Sequence, residues 1–397
     1  MNSEKKLFQK GKLRLNQIKT EDKLNNVKSK IVLKKILDNL DKKKLFDIIK
    51  YNNKIKRRIN IDIQKLLEIE IEIIPSTNKF GKFINIDEKC QKFYHIYFND
   101  EKEEAKKNSL EKNDQVSKIN IIIDYNIRSF EGLFNNCRVI ESINFKKFYR
   151  NNITNMSWMF YECDSLKEIN LSNFNTKNVY DMKNMFFGCY LLKELDLSNF
   201  NTANVKDMSE MFKMCTSLKK LNISNFDTNK VEDMECIFSG CSSLEEINLS
   251  NFNTNNVYDM QGMFKGCSSL KEIDLSNFNT NKVMYMNRMI SECSSLKEIN
   301  VSNFNTNNVT SMSYMFYGCS SLIKINIFKF NPNNVINMSH MFHGCSSLEE
   351  INLSNFNISY ANNMKDMFVK CSKELEMKIR EQVENIKEEA FNNRYYF

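Results

Sequence analysis

One amino acid fixes the period of this chain. Cysteine stands at 137, 163, 189, 215, 241, 267, 293, 319, 345 and 371, ten positions separated by nine identical steps of 26 residues. Other columns keep the same step. Methionine recurs from Met156 to Met364, a second methionine column runs three residues behind it with Ile237 as its one substitute, and phenylalanine recurs from Phe174 to Phe356. Self-similarity at a fixed period of this length marks a solenoid, in which each repeat is one supersecondary unit that buries its apolar face only against its neighbours.

Within one repeat, Ile169 and Leu171 alternate with Glu168, Asn170 and Ser172, the pattern of a short strand with one buried face. Phe174 follows as an inward plug, and Asn175 and Thr176 supply turn chemistry. Val179, Met182, Met185, Phe186 and Cys189 then fall at helical spacing, with Asn178 and Asp181 placed as a cap and its partner and Gly188 at the return. The expected coil is strand, turn, short helix. Its cysteines are read as a stacked ladder of buried free thiols, because identical geometry in every coil offers no pairing partner and no C-x-x-C pair suggests zinc.

The columns L-x-x-I-x-L-x-x-F and V-x-D-M-x-x-M-F-x-G-C resemble the BspA-like leucine-rich repeats over roughly residues 130–372. The resemblance implies a right-handed leucine-rich-repeat solenoid of class α/β, with one short parallel strand and one short helix per coil. It also implies a role as an adhesin or protein-interaction module, with no catalytic residues to carry over. The sequence departs from better-known leucine-rich repeats in placing Phe where a buried Asn is usual.

Charge divides the chain unevenly. Residues 1–132 hold 30 Lys and Arg against 20 Asp and Glu, while the remainder holds 27 against 29. Residues 1–28 read as a polar basic leader without the apolar stretch of a signal peptide. Residues 29–98 read as a small helical N-terminal domain, 99–118 as a charged solvated linker, 119–372 as the solenoid, and 373–397 as a C-terminal capping helix with Ile379, Val383, Ile386 and Ala390 on one face. The helical pattern around "KLFDIIKYN" weakly resembles an F-box-like leader, which implies docking to a ubiquitin-ligase adaptor protein through residues 29–74.

Outward strand positions form nearly uniform columns, acidic at Glu246, Glu272 and Glu298, and a platform of this kind suits a basic partner. One coil breaks the pattern by presenting Lys324, Asn326, Phe328 and Lys329, a combination that suits an interface anchor. Tyr314 and Tyr317 stand at exposed positions of the expected helix side, where aromatic residues suit protein recognition. His340 and His343 stand at i,i+3 near Cys345, but on the outer side, whereas the cysteine belongs to the buried column; no metal is expected. Phosphate-cradling and nucleophile motifs are absent, no cofactor is implied, and no apolar run reaches the ~18–20 residues of a membrane span. Basic residues near "KIKRRIN" lack a nucleic-acid reading motif. The sequence therefore points to a non-catalytic protein-interaction scaffold, cytoplasmic by its lack of leader and its unpaired thiols, with a ubiquitin-ligase substrate adaptor and a cell-surface adhesin as alternatives.

Overall fold

The computed structural model describes residues 67–124, 127–327, 329–331, 334–353, 363–383 and 386–391, the segment 52–59, and a few separate positions between 24 and 48. Most regular structure in it is strand, arranged as several small sheets, and the described helices are short.

Strands β1 (Ile69–Pro75), β3 (Tyr94–Phe98), β5 (Ile119–Ile123) and β6 (Ile140–Lys147) alternate buried and half-exposed residues over most of their length and assemble in the order β3-β5-β1-β6. Their pairings are antiparallel, with Ile71 facing Ile121 on one side and Phe145 on the other. The expectation of a helical domain across 29–98 fails for 69–98. The isoleucines of "IEIEII" alternate at period two, and that signal outweighs the helical composition around it. β1 also occupies the end of the segment read as F-box-like; of the rest, helix α1 (Asn53–Ile59) is described, and most of 29–66 lies outside the described residues.

The stretch 99–118 is not a free linker either. It returns the chain from β3 to β5, carries β4 (Ser109–Leu110) paired with β2 (Gly81–Lys82), and tucks Ala105 onto Ile96 through a 2.7 Å backbone bond. The Asn99 side chain receives the Ser117 amide at 2.8 Å. Its charges face water while its backbone is held, which a composition count does not reveal.

β6 hands the sheet on to the repeats by pairing in parallel with β7 (Glu168–Asn170), residue for residue one period apart. At this junction Arg150 is buried at 2% exposure, pushed down to about 10 by desolvation, and donates to the Leu67 and Ile123 carbonyls. Later coils contribute β8 (Glu194–Asp196), β9 (Lys220–Asn222), β10 (Glu298–Ile299), β11 (Lys324–Asn326) and β12 (Glu350–Asn352), all parallel within their pairs.

Where a short helix was expected in each coil, the chain makes consecutive tight turns. Met185, Phe187 and Cys189 donate to the carbonyls three residues back, not four. The alternate amides leave the coil: those of Met182, Asn184, Phe186 and Gly188 donate to Asp207, Ser209, Met211 and Lys213 of the next repeat at 2.8–3.1 Å. Two residues per coil must adopt left-handed backbone to do this, at the columns of Asn184 (φ 56°) and Gly188 (φ 69°), and every coil from Gly132 to Lys370 does so. The buried spacing i, i+3, i+4, i+7 fits both this four-residue turn and a helix. The turn prevails because its amides bond coil to coil instead of within the coil. Asn178 accordingly caps no helix; its side chain donates to the Asn151 carbonyl one period back.

Side chains complete these rungs. Each cysteine from Cys163 to Cys371 donates its thiol to a carbonyl 29 residues earlier at 3.1–3.3 Å, as Cys189 does to Phe160. That bond requires a small, weakly polar donor at a fully buried corner once per coil, which is why cysteine keeps the period. Burial pushes the Cys215 thiol up to about 12. The buried threonines Thr176, Thr202, Thr228, Thr254, Thr280 and Thr306 each donate to a carbonyl of the next coil and accept the amide of the same residue, as Thr254 does with Asn279 at 2.9 and 2.7 Å. A spine of phenylalanines, Phe134 to Phe264 and again Phe316 to Phe391, stacks at 5.4–5.9 Å between ring centres, interrupted at Ile290.

The C-terminal helix α2 (Lys373–Gln382) buries Leu375 and Ile379 and is capped by Ser372. It ends at Gln382, so Val383 closes it and Ala390 belongs to a separate 3-10 turn; the single helical face expected through Ala390 does not form.

Candidate functional site

The outward residues of the strands converge on one groove of about 1710 Å³ that crosses eight coils, from Ile169 to Ile351. Its aliphatic row is half-buried to buried, while Glu246, Glu272, Glu298, Lys324 and Asn326 stand exposed along it. At the C-terminal end α2 closes onto it: the Gln382 side chain accepts the Leu353 amide at 3.0 Å and Lys378 donates to the Glu349 carbonyl. The lining carries eight carboxylates against four lysines. Two of those lysines are spent within the groove, Lys220 on Glu194 at 2.7 Å and Lys324 on Glu298 at 3.3 Å. Glu246, Glu272 and Asp274 make no ion pair among the described residues. Asp274 and Asp196 instead accept from Ser276 and Ser198, which holds both carboxyls below their ordinary range.

The backbone beneath these residues is not uniform. The strand face divides into three pieces, β7 with the N-terminal sheet, β8-β9, and β10-β11-β12. Residues 246–248 and 272–274 belong to none of them, so the ladder is open beneath Glu246 and Glu272.

Five of the residues singled out in the sequence thus lie in one groove. Lys329 is exposed just past the β11 row, and Phe328 lies outside the described residues. Tyr314 and Tyr317 belong to a different face. They are half-buried, not free, in a block where Tyr314 stacks on His340 at 4.5 Å, Tyr317 on His343 at 5.2 Å, and Arg288 lies over Tyr314. Burial pushes both histidines down, and for His343 the neighbouring His340 and Lys370 add to it. His340 Nε2 lies 3.9 Å from Asp366. Among the described residues no three His, Cys, Asp or Glu groups are placed to hold a metal ion.

A stack of four carboxylates also emerges, Asp181, Asp207, Asp233 and Asp259, one per coil on the turn face. Each accepts the amide two residues on at 2.8–2.9 Å. Desolvation pushes Asp259 up to about 6, with Asp233 and Glu235 adding to the effect. The repeated Asp-Met doublet was the available signal; reading Asp181 as a helix-capping partner concealed the stack.

Three consecutive stretches, 128–221, 218–300 and 295–393, match a family described as Mycoplasma protein of unknown function, DUF285. No curated protein and no solved structure matches the chain.

Proposed function

Because the chain belongs to the family described as Mycoplasma protein of unknown function, DUF285, and carries its unit three times in tandem, we propose that it is a non-catalytic scaffold that docks another protein along its strand-face groove. We read the stack as a BspA-like leucine-rich-repeat solenoid in which tight turns replace the helices. The observation that carries the proposal is the groove itself: eight coils present one continuous surface, long and partly apolar, where an extended chain segment has both aliphatic contacts and polar partners.

The cytoplasm is the first location, on the strength of the many free thiols; the surface of the cell is the second, with which the tandem match is compatible. Among the described residues no helix is long and apolar enough to cross a membrane. Docking of a ubiquitin-ligase adaptor through 29–74 has no supporting observation, and β1 occupies the end of that segment.

The test is a comparison of co-purified proteins from native cells using three forms of the full chain. Asn222→Trp with Asn248→Trp fills the groove, while Tyr180→Ser with Tyr258→Ser alters the turn side. Partners lost only with the groove variant support the proposal. Partners lost only with the tyrosine variant move the function to the other face.

A further inference from the structure

Two independent features of the groove meet at the same two coils. At 246–248 and 272–274 the strand ladder is open, and there Glu246, Glu272 and Asp274 have no ion-pair partner among the described residues. In the same outward column Lys220 pairs with Glu194 and Lys324 with Glu298, while beside it Lys271 pairs with Glu245. Between Lys220 and Lys324, among the described residues, Glu272 and Asp274 have no cation paired to them, and Glu246 has only Lys271 nearby, which is itself paired with Glu245. Like charges in adjacent rows oppose one another, and a cationic ligand placed between them relieves that repulsion.

Resting on the reading of the groove as a docking surface, we propose that its partner is a basic, extended protein segment whose lysines or arginines meet Glu246, Glu272 and Asp274. Eight rows at strand spacing run about 34 Å, which about ten extended residues match. Complementary charge of this kind acts chiefly on encounter and specificity, and it weakens with salt because the carboxylates are exposed. The half-buried Ile247 and its neighbours contribute the part of the contact that salt does not touch.

Fluorescently labelled ten-residue peptides test this on the full chain: alternating lysine and threonine, alternating glutamate and threonine, and alternating valine and threonine. The lysine peptide is expected to bind, to lose at least about tenfold in affinity in Glu246→Lys with Glu272→Lys, and to weaken steeply from 0.05 to 0.5 M salt. Lys206→Glu with Lys230→Glu, which lie outside the groove lining, should leave it unchanged. Equal affinity in wild type and the groove variant overturns the proposal, as does failure of the lysine peptide to bind. If the valine or glutamate peptide binds instead and is lost in Asn248→Trp, the groove remains a docking surface and only the basic class is wrong. If no peptide responds to any groove substitution, the groove reading falls with it.

Discussion

The same 26 residues build two long faces, and they are held in different ways. On the turn face the amides of successive coils bond to the next coil from Phe130 to Gly344, four per coil with a single omission at Met286. On the strand face the ladder is broken between β7 and β8 and again from β9 to β10. The turn face adds buried side-chain rungs of cysteine and threonine and a ring spine; the strand face adds exposed Glu, Asp, Asn and Lys. Cohesion is therefore concentrated on one side of the repeat, which leaves the other side free to vary its charges. Strain follows the same division: the left-handed columns, filled in many coils by Trp, Glu, Arg or Tyr at roughly 1 kcal/mol each, all lie on the turn face and persist because the rungs over-determine them.

Hydrogen exchange offers the largest contrast. Amides of Met234, Cys236, Phe238 and Gly240 should exchange at least ~100-fold more slowly than those of 246–248, since only the former are bonded across coils. Comparable rates in the two sets would dissolve the distinction. Next in size is Phe238→Ala, which opens a hole in the stacked spine and should cost about 3–5 kcal/mol in denaturant unfolding. Asn248→Ala, on the strand face, should stay within about 0.5 kcal/mol.

Thr254→Val keeps the shape but strands the Asn279 amide and carbonyl, so a loss of about 1–3 kcal/mol is expected. A neutral result would mean that water replaces the hydroxyl. Met214→Gly relieves a left-handed residue (φ 62°) at a column where other coils carry glycine, and should raise the melting temperature modestly. Gly240→Ala should lower it, because the added carbon would sit 2.7 Å from Met214 Sδ.

The smallest effect is electrostatic. Asp259 has a folded-state pKa of about 6, above its ordinary value of 3.8. Its ionisation opposes folding, so the destabilisation is fully present above about pH 6 and disappears as pH falls toward 4. Asp259→Asn should retain the cap to Gln261, raise stability slightly at pH 7.5 and flatten the profile between pH 4 and 6. Thermal melts across that range check it; an unchanged slope would assign the pH response to other groups.

Period, buried columns and the ladder of buried thiols were legible in the residues because each coil repeats the same packing problem, and Leu, Met, Phe and Cys answer it in fixed order. Most of the acidic groove was legible too, since a stack one residue deep converts a sequence column directly into a surface row. Three things were settled only in three dimensions. Turn and helix share the buried spacing of Met182, Met185, Phe186 and Cys189, and the choice depended on amides bonding to a neighbouring coil 25 residues away. The sheet of β1, β3, β5 and β6 needed partners distant in sequence to outweigh local helical composition. The openness of the ladder at 246–248 and 272–274 is invisible in repeats that are nearly identical, because it arises from how coils sit against one another and not from what any single coil contains.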